Sequence, residues 1–93
     1  MAVDRLHVCI SGRVQGVGFR YATAREANAL GLNGWVRNCA DGSVEAEFEG
    51  LKSRLKDMLD WCRQGPAFAQ VTNIDFEWES GEPRYERFGI RGY

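Results

Sequence analysis

Several segments of this chain alternate apolar and polar side chains with a period of two, and two intervening segments carry apolar residues at helical spacing. Leu6, Val8 and Ile10 alternate with His7, Cys9 and Ser11. Val44, Ala46 and Phe48 alternate with Glu45, Glu47 and Glu49, and Ile74, Phe76 and Trp78 with Asp75, Glu77 and Glu79. Each such run is a strand with one face for a core and one for water. Trp35 to Cys39 forms a further strand, joined to the Val44 strand through the turn signal Asp41-Gly42. Between the first two strands, Phe19, Ala22 or Thr23, Ala27 and Leu30 recur at helical spacing, and Gly31 ends the helix. A second helix carries Leu51, Leu55, Met58, Leu59 and Cys62, and stops at Gly65-Pro66. A short last strand surrounds Phe88 and Ile90.

The order is β-α-β-β-α-β with a short fifth strand. One-sided strands require a single sheet covered on one face only, so both helices belong on the same side. The fold class is α+β: a ferredoxin-like split βαβ sandwich with an antiparallel sheet, two helices on one face and water on the other. At 93 residues the chain forms one domain, 1–93, with no internal repeat or linker. Apolar residues make up 44% and charged residues 27%, the balance of a soluble globular protein. A net charge of −1 gives no global field to attract nucleic acid or an anionic membrane. No run approaches membrane-spanning length and no secretory signal layout opens the chain. Cys9, Cys39 and Cys62 have neither CxxC spacing nor an even count. They read as packing thiols of a reduced, cytoplasmic protein, although an oxidising setting could bridge one pair. A monomer is the expectation for so small a fold with polar strand faces.

The first strand runs into Gly12-Arg13-Val14-Gln15-Gly16-Val17-Gly18-Phe19-Arg20, a glycine-punctuated loop that closes with arginine on a helix. Without Cβ, Gly16 and Gly18 let the backbone turn through positive φ, so that neighbouring N–H groups converge. Arg20 adds a forked cation where the helix dipole is already positive. A tetrahedral oxyanion, most simply phosphate, fits such a loop. It is not a Walker A loop, because Gly12 and Gly16 are too close and no Lys-Ser pair follows. Nor is it a dinucleotide fingerprint, since Phe19, Arg20 and Tyr21 follow Gly16-Val17-Gly18. The loop therefore binds a single phosphate directly, with no provision for a metal.

Other catalytic signals are weak. His7, the only histidine, lies mid-strand on the polar face with no carboxylate partner nearby in sequence, and reads as an exposed strand residue. Glu45, Glu47 and Glu49 read as a solvated face. Nothing suggests a covalent intermediate. Such a site accelerates only an intrinsically labile bond. Asn38 is out of pattern, because it shares parity with Val36 and so points toward the loop and helices. Either it starts the turn toward Asp41-Gly42, or its amide holds a water beside the bound phosphate.

The two segments Gly12–Arg20 and Gly34-Trp35-Val36-Arg37-Asn38, the latter followed by Asp41-Gly42-Ser43-Val44-Glu45, resemble the paired signatures of the acylphosphatase family. The resemblance spans essentially the whole chain in length, element order and motif spacing. It implies hydrolysis of carboxyl–phosphate anhydrides of small-molecule acyl phosphates, with no metal, no cofactor and no phosphoenzyme. By the same motifs, Arg20 corresponds to the phosphate-binding arginine and Asn38 to the asparagine that orients the attacking water. Gln15, Gly16, Val17, Gly18 and Phe19 correspond to the backbone cradle. Two other readings stand beside it. One is a non-catalytic phosphate or carbamoyl-phosphate binding module. The other is an RNA-binding domain of the same fold, which the acidic strand Ser43–Glu49 disfavours.

Overall fold

The computed structural model describes residues 2–92. Seven elements follow one another: β1 (Val3–Arg13), α1 (Phe19–Ala29), β2 (Asn33–Asn38), β3 (Val44–Gly50), α2 (Lys52–Gln64), β4 (Gln70–Gly81) and β5 (Phe88–Arg91). They form one five-stranded sheet in the order β4-β1-β3-β2-β5. The alternation works as expected on the central strands. Leu6, Val8 and Ile10 of β1 and Val44, Ala46 and Phe48 of β3 are fully buried. They meet Phe19 and Ala27 of α1 and Leu55, Met58 and Cys62 of α2 in one core. Burial pushes the Cys62 thiol up to about 12, so it packs as a small hydrophobe. Leu51 is a departure from the expected stripe: it stands at the N-cap of α2 and is 71% exposed.

Two expectations about the sheet are corrected. It is mixed, because β5 runs parallel to β2 while every other pairing is antiparallel. The chain leaves β4 at one edge, crosses the sheet and turns back along the free edge of β2 in that strand's own direction. Phe88 closes this edge by stacking on Phe48 at 5.5 Å. The second correction concerns the face away from the helices, which is not simply wet. The crossing segment, residues 82–87, packs over β3, and Glu47 and Glu49 are buried at 9% and 3% exposure. The Glu49 carboxylate accepts hydrogen bonds from the Arg84 and Tyr85 backbone N–H groups and pairs with the buried Arg5 guanidinium at 2.9 Å. Tyr85 in turn donates its hydroxyl to Glu47 and accepts from the Trp35 indole at 3.0 Å.

At the opposite edge, Phe76 and Trp78 lie in register with Val8 and Leu6 but remain 41% and 36% exposed. From the helix layer α2 reaches them, through Arg63 over the Phe76 ring and Lys52 over the Trp78 ring. No helix among the described residues is long and apolar enough to cross a membrane.

Candidate active site

The loop from Val14 to Gly18 links the end of β1 to the start of α1. Gly16 and Gly18 take φ of 74° and 77°, the left-handed region that the sequence reserves for them. Val14 and Phe19 are buried on either side and fix the loop to the core. The Phe19 ring packs edge-on against Trp61 of α2 at 5.6 Å, so the first turn of α1 is anchored by both helices. Thr23 completes that turn by donating its hydroxyl to the Phe19 carbonyl at 2.7 Å.

This geometry leaves a set of donors unused. None of the backbone N–H groups of Gly16 to Arg20 has an acceptor among the described residues. The loop is too tight for internal pairing, and the first helical turn has no earlier carbonyl to receive its amides. No side chain caps the helix at Gly18. The Arg20 guanidinium is likewise without an ion pair or hydrogen bond among the described residues. The macrodipole adds positive potential at the same point.

Asn38 closes the other side. As the last residue of β2 it pairs with Val44, and it shares the buried face of that strand with Gly34 and Val36. It is 8% exposed, and its carboxamide has no hydrogen-bond partner among the described residues. No buried side-chain polar atom is left enclosed without a partner among those residues, so this carboxamide opens onto the adjoining hollow. The hollow measures about 100 Å³ and is lined by Val14, Gly16, Gly18, Phe19, Arg20, Tyr21 and Asn38. At ~30 Å³ per water, that is room for a phosphoryl group and a water. A larger hollow of about 280 Å³ lies by Arg63 and Val71–Ile74, but its one cation is already stacked over Phe76.

Of the residues expected in the cradle, Gly16, Gly18, Phe19 and Arg20 line this hollow, while Gln15 and Val17 do not. Val17 packs against the core. Gln15 turns its side chain to the β2–β3 turn, where Nε2 donates to the carbonyls of Cys39 and Ser43. Tyr21 was not singled out by sequence, although its place directly after Arg20 puts it at the rim, 72% exposed.

A second group of titratable side chains, His7, Cys9, Arg37 and Glu45 on the strands and Cys39 just after β2, lies outside the lining of the hollow. His7 is not the partnerless side chain expected: its Nε2 lies 2.7 Å from Glu45 Oε2. Arg37 donates to the other oxygen of the same carboxylate. Burial pushes the Glu45 carboxyl up, but the hydrogen bonds from His7 and Arg37 outweigh it and hold the group below its ordinary value. Cys9 and Cys39 are half-buried free thiols whose contacts are Ser43 and Glu45. Among the described residues no cluster of histidine, cysteine and carboxylate side chains is arranged to hold a metal.

Comparison with known proteins agrees with the two-motif reading. The acylphosphatase family model matches residues 6–90. An acylphosphatase of Nostoc sp. is 51% identical over 89 residues, covering 96% of this chain and 82% of that protein. One from Thermococcus kodakarensis is 51% identical over 89 residues, covering 96% and 91%. The crystal structure of the acylphosphatase from Bacillus subtilis superposes with a TM-score of 0.91 at 36% identity, over 95% of this chain and 98% of that one. Matched by the family model over nearly its whole length, and sharing half its residues with relatives of similar size, this chain belongs to the acylphosphatase family.

Proposed function

We propose that this single-domain protein hydrolyses acyl phosphates to a carboxylate and phosphate in the hollow between the Val14–Gly18 loop and the end of β2. The phosphoryl oxygens sit against the backbone N–H groups of the 15–20 loop and the Arg20 guanidinium. These donors grip more tightly as charge redistributes in a loose, in-line transition state. The Asn38 carboxamide holds a water for attack at phosphorus. The P–O bond to the acyl group breaks, and the carboxylate leaves without a general acid because it is a weak base. The proton lost by the water passes to a phosphoryl oxygen. No step requires a metal or a protein nucleophile.

The observation that carries this reading is the convergence of three unsatisfied polar sets on one hollow: loop amides, Arg20 and Asn38. Unpartnered donors at a concave surface stabilise a ligand that supplies the missing acceptors. The free thiols of Cys9, Cys39 and Cys62 support a reducing, cytoplasmic setting. Asp75, Glu77 and Glu79 on the outer face argue against a nucleic-acid partner, and the protein acts as a monomer on a small molecule. The test uses acetyl phosphate and benzoyl phosphate with EDTA present. Turnover unaffected by EDTA is expected, and Asn38→Ala should lower kcat by roughly 10²- to 10³-fold, as loss of one positioned amide does elsewhere. Binding of phosphate without turnover would mark a binding module instead. A folded Asn38→Ala protein with near-normal turnover would remove Asn38 from the mechanism.

A further inference from the structure

The glutamine of the phosphate loop has a side-chain engagement that the reaction itself does not use. Gln15 Nε2 donates one hydrogen bond to the Cys39 carbonyl at 2.7 Å and a second to the Ser43 carbonyl at 2.9 Å. Those two carbonyls form the neck of the β2–β3 turn. Cys39 N–H donates to the Ser43 carbonyl at 2.8 Å, and Gly42 N–H to the Cys39 carbonyl at 3.1 Å. Within the turn, Asp41 Oδ1 accepts from both the backbone N–H and the hydroxyl of Ser43. The turn is thus closed on itself. Among the described residues, the Gln15 carboxamide makes the only side-chain hydrogen bonds joining it to the loop.

This matters because the hollow has two walls from different parts of the chain. One wall, loop and helix start, carries the N–H groups and Arg20; the other, the end of β2, carries Asn38. Cys39, whose carbonyl Gln15 holds, is the residue immediately after Asn38. In-line attack tolerates little error: a displacement of about 1 Å can cost ~10²-fold in rate. We propose that Gln15 is a positioning residue whose carboxamide locks the end of β2 against the phosphate loop, so that Asn38 holds its water in line with the breaking bond. A primary amide suits this task because its planar NH₂ carries two donors for two carbonyls, which neither an ionised carboxylate nor an alkyl group supplies. This proposal rests on the water-holding assignment of Asn38.

Three variants test it: Gln15→Leu, Asn38→Ala and the pair combined, each assayed with acetyl phosphate and with inorganic phosphate as competitive inhibitor. Gln15→Leu is expected to lower kcat by about 10- to 100-fold while the inhibition constant for phosphate stays within about threefold, because phosphate meets only the loop wall. In the Asn38→Ala background the same change should lower kcat by less than about twofold, since both losses run through one water. Losses that multiply in the double variant would overturn the proposal, as would a folded Gln15→Leu protein with unchanged kcat. A phosphate constant that weakens in step with kcat would also overturn it, showing that the loop itself had collapsed. If Asn38→Ala alone keeps its turnover, the underlying assignment fails. If Asn38→Ala is crippled and Gln15→Leu is not, only the positioning role fails. Gln15→Glu covers the case in which Gln15→Leu does not fold. Its carboxylate faces two carbonyls at neutral pH, and its protonated form regains one donor. Its kcat relative to the parent enzyme should therefore rise as pH falls, and a flat ratio would contradict the proposal.

Discussion

The two faces of the sheet treat charge in opposite ways. On the outer face the charged groups of the central strands are matched: Arg5 with Glu49 and Glu79, and His7 and Arg37 with Glu45. At the loop end of the helix face, Arg20, Asn38 and a run of backbone N–H groups have no protein partner among the described residues. A polar group that folding has satisfied contributes to the fold, whereas one left open beside a hollow is available to a ligand. On this contrast, charge on the outer face should be removable at a cost in stability, and charge at the hollow at a cost in turnover.

The largest effect should come from Arg20. Arg20→Ala is expected to lower kcat/KM by 10³-fold or more, by analogy with arginine in phosphoryl transfer. Arg20→Lys should be nearly as damaging, because a point charge does not replace a planar fork. Thermal unfolding of both variants should match the parent, since the guanidinium has no partner among the described residues. A large fall in Tm would blur the contrast. Glu49→Ala should do the reverse. It leaves Arg5, only 2% exposed, without its main counter-charge. A loss of about 3 kcal/mol or more is expected in denaturant unfolding, with kcat/KM of the folded fraction unchanged.

Glu45→Gln gives the smallest effect and a pH signature. Because the native carboxyl is held below its ordinary value of 4.5, its ionised form stabilises the fold above that pH. That contribution is lost as pH falls through the lower native value. The parent should exceed Glu45→Gln by about 1 kcal/mol or less at pH 7, and the difference should vanish in stronger acid. A gap that widened on acidification would reverse the sign assigned to this group.

Much of this arrangement is legible in the sequence, for a physical reason. Strand alternation and helical stripes are local, so β1, β3 and both helices follow from a few neighbouring residues each. The loop glycines and Arg20 are equally local, and strand parity alone turns Asn38 toward the loop. What escapes local reading depends on chain segments meeting late. Glu47 and Glu49 look solvated until residues 82–87, which have no periodicity, cross above them. His7 finds its partner 38 residues away, and Gln15 finds carbonyls 24 and 28 residues away. The direction of the four-residue β5 depends on the path of the crossing segment, not on its own composition.

The most direct measurement is an amide NMR titration of the protein with inorganic phosphate. The expected result is saturable movement of the backbone N–H resonances of Gly16 to Arg20, with Glu45 and Glu49 unmoved. Saturating phosphate that leaves those loop resonances in place, or that shifts the outer face instead, would contradict the account.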